Sequence, residues 1–482
     1  MTMTLPSAVT ELLSKLTTAN YEGYVVGGCV RDFLMGREPH DYDITTNATP
    51  EQLKEVLSEY RIEDTGIKHG TVTVYLGDIG YEVTTFRTEG CYTDGRHPDS
   101  VEFVSSLEED LARRDFTVNT IAYSPITGLV DPFGGKADLK NQIIRAVGNP
   151  VSRFTEDRLR ILRAVRFAST LSRNGNQGRF TLEQDTAKAV HDMAESLSSV
   201  SKERITAELT KLLAGANVKN VMMDFPDIFT ALFPELEGVV YQVQHHPWHK
   251  YNLWEHTAEV VAAIQEKSEI LLWTALLHDC GKPLVVETHP KSDLSQTTYD
   301  LTSYPYSDTT RFLYHAKIGA ELAEKLLKRT SISKKNQAEI VFLIQMHHSF
   351  PAEKEKSVRR WLNHYGEERC RNLMLLRDAD AKGFSAFGRT QAEQDMRYLR
   401  SMVIQVKASS VPYRTEALAC GGNDLLAEGI PAGPDMGKIL YQLMEEVMEE
   451  TVLNEKEPLV KRALAIWNEG GGHDTQASTQ EA

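Results

Sequence analysis

A chain of 482 residues exceeds what one compact core usually holds, so its length implies a modular protein of two to four units. Its 41% hydrophobic and 25% charged residues argue against wholesale disorder, and no uninterrupted apolar stretch approaches the ~20 residues that span a bilayer. A net charge of −15 excludes a protein that coats nucleic acid indiscriminately, because such binding rests on many Lys and Arg contacts to phosphate.

The opening MTMTLPSAVTELLSKL lacks the charged-then-apolar order of a secretory signal, which predicts a cytoplasmic protein with no membrane partner. SAVTELLSKLTTAN is then amphipathic at helical spacing, YVVGG reads as a strand ended by glycines, and HDYDITT alternates like a strand. The helix-like TPEQLKEVLSEY and the strand candidates TVTVYLG, YEVTTFR and SVEFV complete an α/β head with a mixed sheet over residues 1–145. From Thr155 the pattern turns to long helical periodicity through EDRLRILRAVRFASTLS, LEQDTAKAVHDMAESL and SKERITAELTKLLAG. Everything after the head is expected to be helical. The expected helical divisions are 146–215, a connecting segment over 216–250, a domain over 251–385 and a C-terminal stretch over 386–482. A linker or boundary is expected near FPDIFTALFPELEG and another near Gly421-Gly422-Asn423, and EGGGHDTQASTQEA has the composition of a frayed tail. Residues 151–215 carry eleven Lys and Arg against eight Asp and Glu, making this the first candidate RNA-binding segment of an acidic chain. The five cysteines, Cys29, Cys91, Cys280, Cys370 and Cys420, form no CxxC pair and suggest neither disulfides nor a zinc ribbon.

Chemistry-bearing residues begin at Gly27 and Gly28, where the missing side chains let backbone N–H groups approach a triphosphate while Arg31 adds a fixed charge. Asp41 and Asp43 are two apart on the next expected strand and therefore share a face, so they can converge on a pair of magnesium ions. Glu82 in YEVTTFR is a third carboxylate candidate. A turn and a solvated strand end would account for either feature alone; glycines, arginine and carboxylates in this order argue otherwise.

The strings VVGGCVRDFLMGREPHDYDITTNATP, GIKHGTVTV, DLARRDFTVNTIAY, DPFGGKADL and FTEDRLRILRAVRFAS resemble the class II tRNA nucleotidyltransferase and bacterial poly(A) polymerase family, almost continuously to about Gly215. The resemblance implies a polymerase-β-like nucleotidyltransferase head on helical neck, body and tail segments. It implies that Gly28 and Arg31 contact nucleotide, that Asp41 and Asp43 bind Mg2+, and that Arg114 of RRDFT contacts the triphosphate. It further implies that tRNA, CTP and ATP are the partners. In the neck, Asp157 and Arg160 are three apart in a segment expected to open a helix, with Arg163 and Arg166 continuing the face. Cytosine and adenine both present an exocyclic amine beside a ring-nitrogen acceptor, so a carboxylate and a guanidinium together accept C and A and leave unpaired groups against U and G. The family uses this EDxxR pattern in that role, with the two following arginines near nucleotide or RNA. The stretch RTEGCYTDGRHPDSVEF resembles a flexible loop of full CCA-adding and A-adding members that CC-adding members lack. Full CCA addition, A-only addition and poly(A) synthesis stay open at this point.

A second constellation lies downstream. His256, the adjacent His278 and Asp279, and Asp380 resemble the ligand order of the HD metal-dependent phosphohydrolase domain over about residues 250–385, with Asp378 an alternative to Asp380. Histidine and aspartate together suit Ni2+, Mn2+ or Co2+ better than magnesium. The alternatives are a metal-free helical scaffold, or an RNA-binding phosphohydrolase whose head is inert. Spacing alone does not assign His315, His347 and His348 to the same pocket, and still less His245 and His249 of HHPWHK.

Overall fold

The computed structural model describes residues 3–90, 100–172, 178–290 and 308–469. The chain divides into two compact units, Met1–Val240 with Leu326–Ile332, and Tyr241–Lys325 with Ser333–Ala482.

The first unit opens with the helix Ser7–Thr18, whose Val9, Leu12, Leu13 and Leu16 recur at helical spacing and are all buried. Strands β1 (Gly23–Val26), β2 (Asp43–Thr46), β3 (Arg61–Gly66), β4 (Thr71–Leu76) and β5 (Ile79–Thr85) follow. A two-stranded ribbon of β6 (Arg87–Glu89) and β7 (Val101–Phe103) leads to β8 (Ala122–Ser124) and β9 (Gly128–Val130). The main sheet runs β3-β4-β5-β2-β1-β8-β9, and β2 pairs parallel with β5 while its other pairs are antiparallel. This is the expected mixed sheet, with two differences. SVEFV joins the ribbon rather than the sheet, and the polar RIEDTG, which lacks an alternating pattern, supplies the edge strand β3. One face packs Val25, Ile44, Val72, Val74 and Val83 against Leu12, Leu16, Leu53 and Leu57. The helix Pro50–Val56 on that side is started by a reciprocal cap between Thr49 and Gln52.

The rest of this unit is helical apart from the short parallel pair β10 (Ile143–Ile144) and β11 (Thr181–Leu182). The helix Pro150–Glu156 is capped by Asn149 and begins with proline, and the helix Leu159–Thr170 follows after a break. FPDIFTALFPELEG forms short helices whose Ile228, Phe229, Phe233 and Leu236 are buried, its prolines starting helical turns, and the division between the two units follows shortly after it, between Val240 and Tyr241.

The second unit is built on the helices Leu253–Ala263, Glu269–Leu277, His315–Leu327, Lys334–Met346, Glu355–Tyr365, Glu367–Lys382 and Ala386–Ala408, followed by three more to Glu469. Side chains of Asn252, Ser268, Ser333 and Ser385 cap four of them. In this unit the expectation of helices throughout misses the antiparallel pair β12 (Glu287–Pro290) and β13 (Asp308–Arg311), where Thr288 and Thr310 supply β-branched positions. The C-terminal helices have a core of their own around Leu443, Met444, Val447 and Leu459. Cys29, Cys280, Cys370 and Cys420 are buried free thiols. No described helix is long and apolar enough to cross a membrane. Cys91, most of the loop RTEGCYTDGRHPDSVEF and nearly all of the tail lie outside the described residues.

Candidate active site

In the first unit β1 ends at Val26 and the chain turns at Gly27, whose φ of 76° lies in the region that favours glycine. A Cβ there would come within 3.3 Å of Arg114 Nη1. Gly28 and Arg31 lie on the helix that follows. Antiparallel pairing sets Asp43 opposite Val26, and the parallel register of Ile44 with Val83 sets Asp43 beside Glu82 on β5. Ile44 and Val83 enter the core, so Asp43 and Glu82 face the other way, into a cavity of about 730 Å³. Asp41 does not share that strand: β2 begins at Asp43, and Asp41 precedes it, exposed and outside the cavity lining. The Asp43 carboxyl is reachable at the cavity mouth, yet the surrounding protein pushes its pKa up. Asp41 adds to that rise while Arg114 opposes it.

Seven arginines line the same cavity, Arg31, Arg87, Arg113, Arg114, Arg160, Arg163 and Arg204, against four carboxylates, Asp43, Glu82, Asp115 and Asp157. An acidic chain thus concentrates positive charge where a polyphosphate fits. Several arginines are fixed by a relay. Arg31 Nη1 donates to Asn119 Oδ1 at 2.7 Å, Asn119 donates to Asp115 Oδ1 at 2.9 Å, and Arg163 donates to Asp115 Oδ2 at 2.9 and 2.5 Å. Burial alone would push the Asp115 carboxyl up; the Arg163 guanidinium and the Asn119 amide outweigh it and hold the group well below the usual carboxylate range. Arg114 Nε is buried and has no hydrogen-bond partner among the described residues.

Asp157 does not open a helix. It stands in extended conformation at the break between two helices, where Arg204 grips its carboxylate at 2.7 and 3.1 Å and the Leu159 N–H donates to it at 3.1 Å. Arg160, the second residue of the next helix, is held by Glu156 at 2.5 Å and by the carbonyls of Arg153 and Arg113 at 3.1 Å. Asp157, Arg160 and Arg163 all reach the cavity. Arg166 does not line it: its guanidinium pairs with Glu208 at 2.8 Å and lies 3.6 Å from the Phe167 ring centre. Sequence reasoning missed Arg113, Asp115, Asn119, Phe167 and Arg204. The first two flank Arg114 in RRDFT, and Arg204 lies in SKERITAEL, 47 residues from the carboxylate it holds.

In the second unit, His256 projects from its helix, His278 and Asp279 end the helix Glu269–Leu277, and Asp380 comes from Glu367–Lys382. All four are buried. His256 Nε2 lies 3.3 Å from His278 Nε2, 3.5 Å from Asp279 Oδ2 and 3.2 Å from Asp380 Oδ1. A Cβ at Gly383 would meet His256 Nδ1 at 2.3 Å, so glycine there keeps the ring in place. Asp378 is turned away and pairs with Arg400, because two residues apart on a helix means opposite sides. Lys282 and Arg377, which sequence reasoning also missed, brace the aspartates: Lys282 lies 2.7 Å from Asp279 Oδ2 and Arg377 2.9 Å from Asp380 Oδ2. Burial pushes the Asp279 carboxyl up, but His278 and Lys282 outweigh it and hold it well below its ordinary range. These groups open on a pocket of about 450 Å³ with His249, Trp248, Phe312 and Phe384 in its walls; His245 is not among them. Thr310 on β13 exchanges hydrogen bonds with the His245 backbone, which fixes the wall carrying Phe312.

Three family models match the chain in order: a Poly A polymerase head domain over residues 23–145, a probable RNA and SrmB-binding site of polymerase A over 179–239, and an HD domain over 243–382. The CCA-adding enzyme of Listeria monocytogenes is 50% identical over 212 residues, 44% of this chain and 51% of its own. The crystal structure of the Bacillus stearothermophilus CCA-adding enzyme in complex with CTP superposes with a TM-score of 0.68 at 28% identity, covering 98% of this chain and all of that one. A Thermotoga maritima CCA-adding enzyme complexed with tRNA shares the fold, with a TM-score of 0.57 at 19% identity over 95% of this chain and 94% of its own. The CCA-adding enzyme of Levilactobacillus brevis is 34% identical over 453 residues, 93% of this chain and 95% of its own, and the chain therefore belongs to the CCA-adding enzyme family of nucleotidyltransferases.

Proposed function

We propose that this enzyme completes the 3′ CCA end of tRNA from CTP and ATP without a nucleic-acid template. The observation that carries the reading is the placement of Asp43 and Glu82 on adjacent parallel strands, each preceding the Ile44–Val83 register pair and both lining a cavity ringed by seven arginines. The 3′-hydroxyl oxygen of the RNA attacks the α-phosphorus of the incoming nucleotide. A new P–O bond forms as the bond between the α-phosphorus and the oxygen bridging it to the β-phosphate breaks, the hydroxyl proton passes to solvent, and the bridging oxygen leaves as part of pyrophosphate. Asp41, Asp43 and Glu82 would hold Mg2+ through their carboxylate oxygens. The mutual repulsion of Asp41 and Asp43, which adds to the rise in the Asp43 pKa, is what a divalent cation relieves. Magnesium held there would lower the pKa of the attacking hydroxyl and offset the charge of the leaving pyrophosphate. Gly28, Arg31 and Arg114 hold the triphosphate, and the unpartnered Arg114 Nε supports that role.

Base choice falls to Asp157 and Arg160. Arg204 and the Leu159 N–H fix the Asp157 carboxylate, which retains lone pairs for the amine of cytosine or adenine. Among the described residues Arg160 Nε and one Nη2 hydrogen have no acceptor, which leaves them for the ring nitrogen. Arg163 positions Asp115 and, through Asn119, Arg31; Arg166 steadies the same helix or meets RNA beyond the cavity. The domain reading is a head over 1–145, a base-reading neck over 146–215, a connector over 216–250, an HD domain over 251–385 and an RNA-binding body and tail over 386–482.

A second activity is favoured by a separate observation, the convergence of His256, His278, Asp279 and Asp380. This centre takes a transition metal such as Ni2+, Mn2+ or Co2+ and hydrolyses phosphoesters, a chemistry that clears phosphorylated 3′ ends before addition. The test of the main reading offers the enzyme CCA-trimmed tRNA, unrelated RNA and each nucleotide singly. Addition that stops after CCA supports it. Long A tails mark a poly(A) polymerase, A added only after CC marks an A-adding enzyme, and no incorporation marks an inert head.

A further inference from the structure

We propose that the β4 end of the head cavity seats the 3′-terminal nucleotide of the RNA, with the Thr73 hydroxyl on the 2′-hydroxyl of its last ribose and His69 on the phosphate behind it. The proposal rests on the nucleotidyl-transfer reading above and deepens it by placing the second substrate.

The support is a row of side chains across four adjacent strands. Val26 on β1 lies opposite Asp43 on β2, Asp43 stands beside Glu82 one step before the Ile44–Val83 pair, and Glu82 lies opposite Thr73 on β4. Neighbours in such a row share one face of a sheet. Val72 and Val74 enter the core on the other face, so Thr71 and Thr73 turn into the cavity together with Glu82 and Asp43. Strands stand about 4.8 Å apart, so the row runs about 14 Å from β1 to Thr73 with both carboxylates between.

The chemistry gives this row a direction. In an in-line displacement the attacking and leaving oxygens stand on opposite sides of phosphorus. Gly28, Arg31 and Arg114 gather the triphosphate at the β1 end, so pyrophosphate leaves toward β1 and the RNA hydroxyl arrives from β4. A ribose whose 3′-hydroxyl reaches the carboxylates carries its 2′-hydroxyl on the adjacent carbon, and the next polar side chain along the row is Thr73. Beyond Thr73 the row leaves the cavity: Glu63, opposite it on β3, is drawn aside by Arg61 and by the Tyr75 hydroxyl at 3.0 Å, and does not line the space.

The chain also keeps this end open. The β3–β4 register shifts between Glu63 and Gly66, which brings Gly66 opposite Thr71, where a Cβ would meet that of Thr71 at 2.9 Å. The turn Ile67–His69 follows and ends at Gly70, whose φ is 76°. Arg87 donates to the His69 carbonyl and ties this turn to the cavity wall, while the His69 side chain is exposed at the rim. An imidazole there offers an N–H to a phosphate oxygen, the kind of contact that positions a nucleic acid.

The full chain with magnesium is given ATP and a tRNA ending in CC, whose last sugar is either ribose or 2′-deoxyribose. The kcat, the KM for RNA and the KM for ATP are measured separately. The parent should prefer the ribose end by about 3- to 10-fold in kcat/KM, the size of one hydrogen bond between neutral groups. Thr73→Val, which keeps the shape and the strand preference, should abolish that preference by slowing the ribose end alone, and Thr73→Ser should restore it. His69→Ala should raise the KM for both RNAs by about 3-fold or more, and no variant should move the KM for ATP. A preference that survives in Thr73→Val, an equal slowing of both ends, or a raised KM for ATP overturns the ribose contact. An unchanged KM for RNA in His69→Ala overturns the phosphate contact. A parent that extends neither RNA sinks the nucleotidyl-transfer reading itself, and the seat with it.

Discussion

The two cavities solve opposite problems. In the head, carboxylates stand at the edge of an open space and the surrounding charge is arginine, several guanidiniums being held by partners such as Asn119, Asp115 or Glu156. In the HD domain the groups are imidazoles and aspartates packed within 4 Å of one another, with a pocket on one side and protein on the other. Oxygen donors spaced for exchangeable ions and phosphates suit a site that must admit nucleotide after nucleotide. Nitrogen donors in a tight buried set suit a resident transition metal. Separate cavities with different donor chemistry mean that each can be damaged alone, and that separability is what the experiments below attack.

The largest effects come from removing a donor. Asp43→Ala should lower incorporation of both CMP and AMP by about a thousandfold or more, as expected when a metal-holding carboxylate is lost, while HD metal content is unchanged. Asp41→Ala should follow it. Conversely, His278→Ala or Asp279→Ala should abolish metal-stimulated hydrolysis of a phosphomonoester and a 2′,3′-cyclic nucleotide and leave nucleotide addition intact. Single-turnover addition and hydrolysis measured on the same preparations decide both. If a head variant also loses hydrolysis, or an HD variant loses addition, the comparison breaks.

A smaller effect tests the scaffold of the head. Arg163→Ala leaves the Asp115 carboxylate buried without its cation, which costs about 3–5 kcal/mol. Because the folded pKa of Asp115 is depressed, its contribution is fully present above the unfolded value of about 3.9 and is lost as pH falls through the folded value. The gap between parent and variant should therefore be full at neutral pH and narrow in acid. Thermal unfolding followed across pH reads it, with the CTP-induced shift marking which transition belongs to the head.

Next in size is base choice. Asp157→Ala should raise UTP misincorporation about 10- to 100-fold, the ~1–3 kcal/mol attached to an unpaired buried polar group. Arg204→Ala should do the same more weakly, since Arg204 orients the carboxylate rather than touching the base. A variant that slows addition yet rejects UTP as strictly as the parent makes Asp157 a structural residue.

How much of this was legible in the sequence follows from which interactions are local. The order of glycines, Arg31, Asp43 and Glu82 was readable because a strand register needs only a few neighbouring residues to set it. The relay through Asn119 and Asp115, and the grip of Arg204 on Asp157 across 47 residues, depend on packing between distant segments and left only the motifs RRDFT and SKERITAEL as traces. Asp41 was read onto the strand because HDYDITT alternates, yet pairing with β1 starts at Asp43, opposite the last residue of that strand. In the HD domain the dispersed ligands were visible through their resemblance, whereas the approach of His315 and His347 to Asp279 required the fold.

The smallest expected effect separates Asp378 from Asp380. Both occur in Asp-Ala-Asp, and spacing does not choose between them. Asp380 lies 3.2 Å from His256 Nε2 and is braced by Arg377, whereas Asp378 faces outward to Arg400. An exposed ion pair contributes at most ~1 kcal/mol, so Asp378→Ala should shift thermal stability slightly and leave metal content and hydrolysis unchanged. Asp380→Ala should lower metal occupancy, because it removes an oxygen from a buried shell that has no substitute within reach on that helix. Metal per chain after reloading decides the matter. Loss of metal in the Asp378 variant with retention in the Asp380 variant would reverse the assignment and mean that the helix Glu367–Lys382 rotates when an ion is bound.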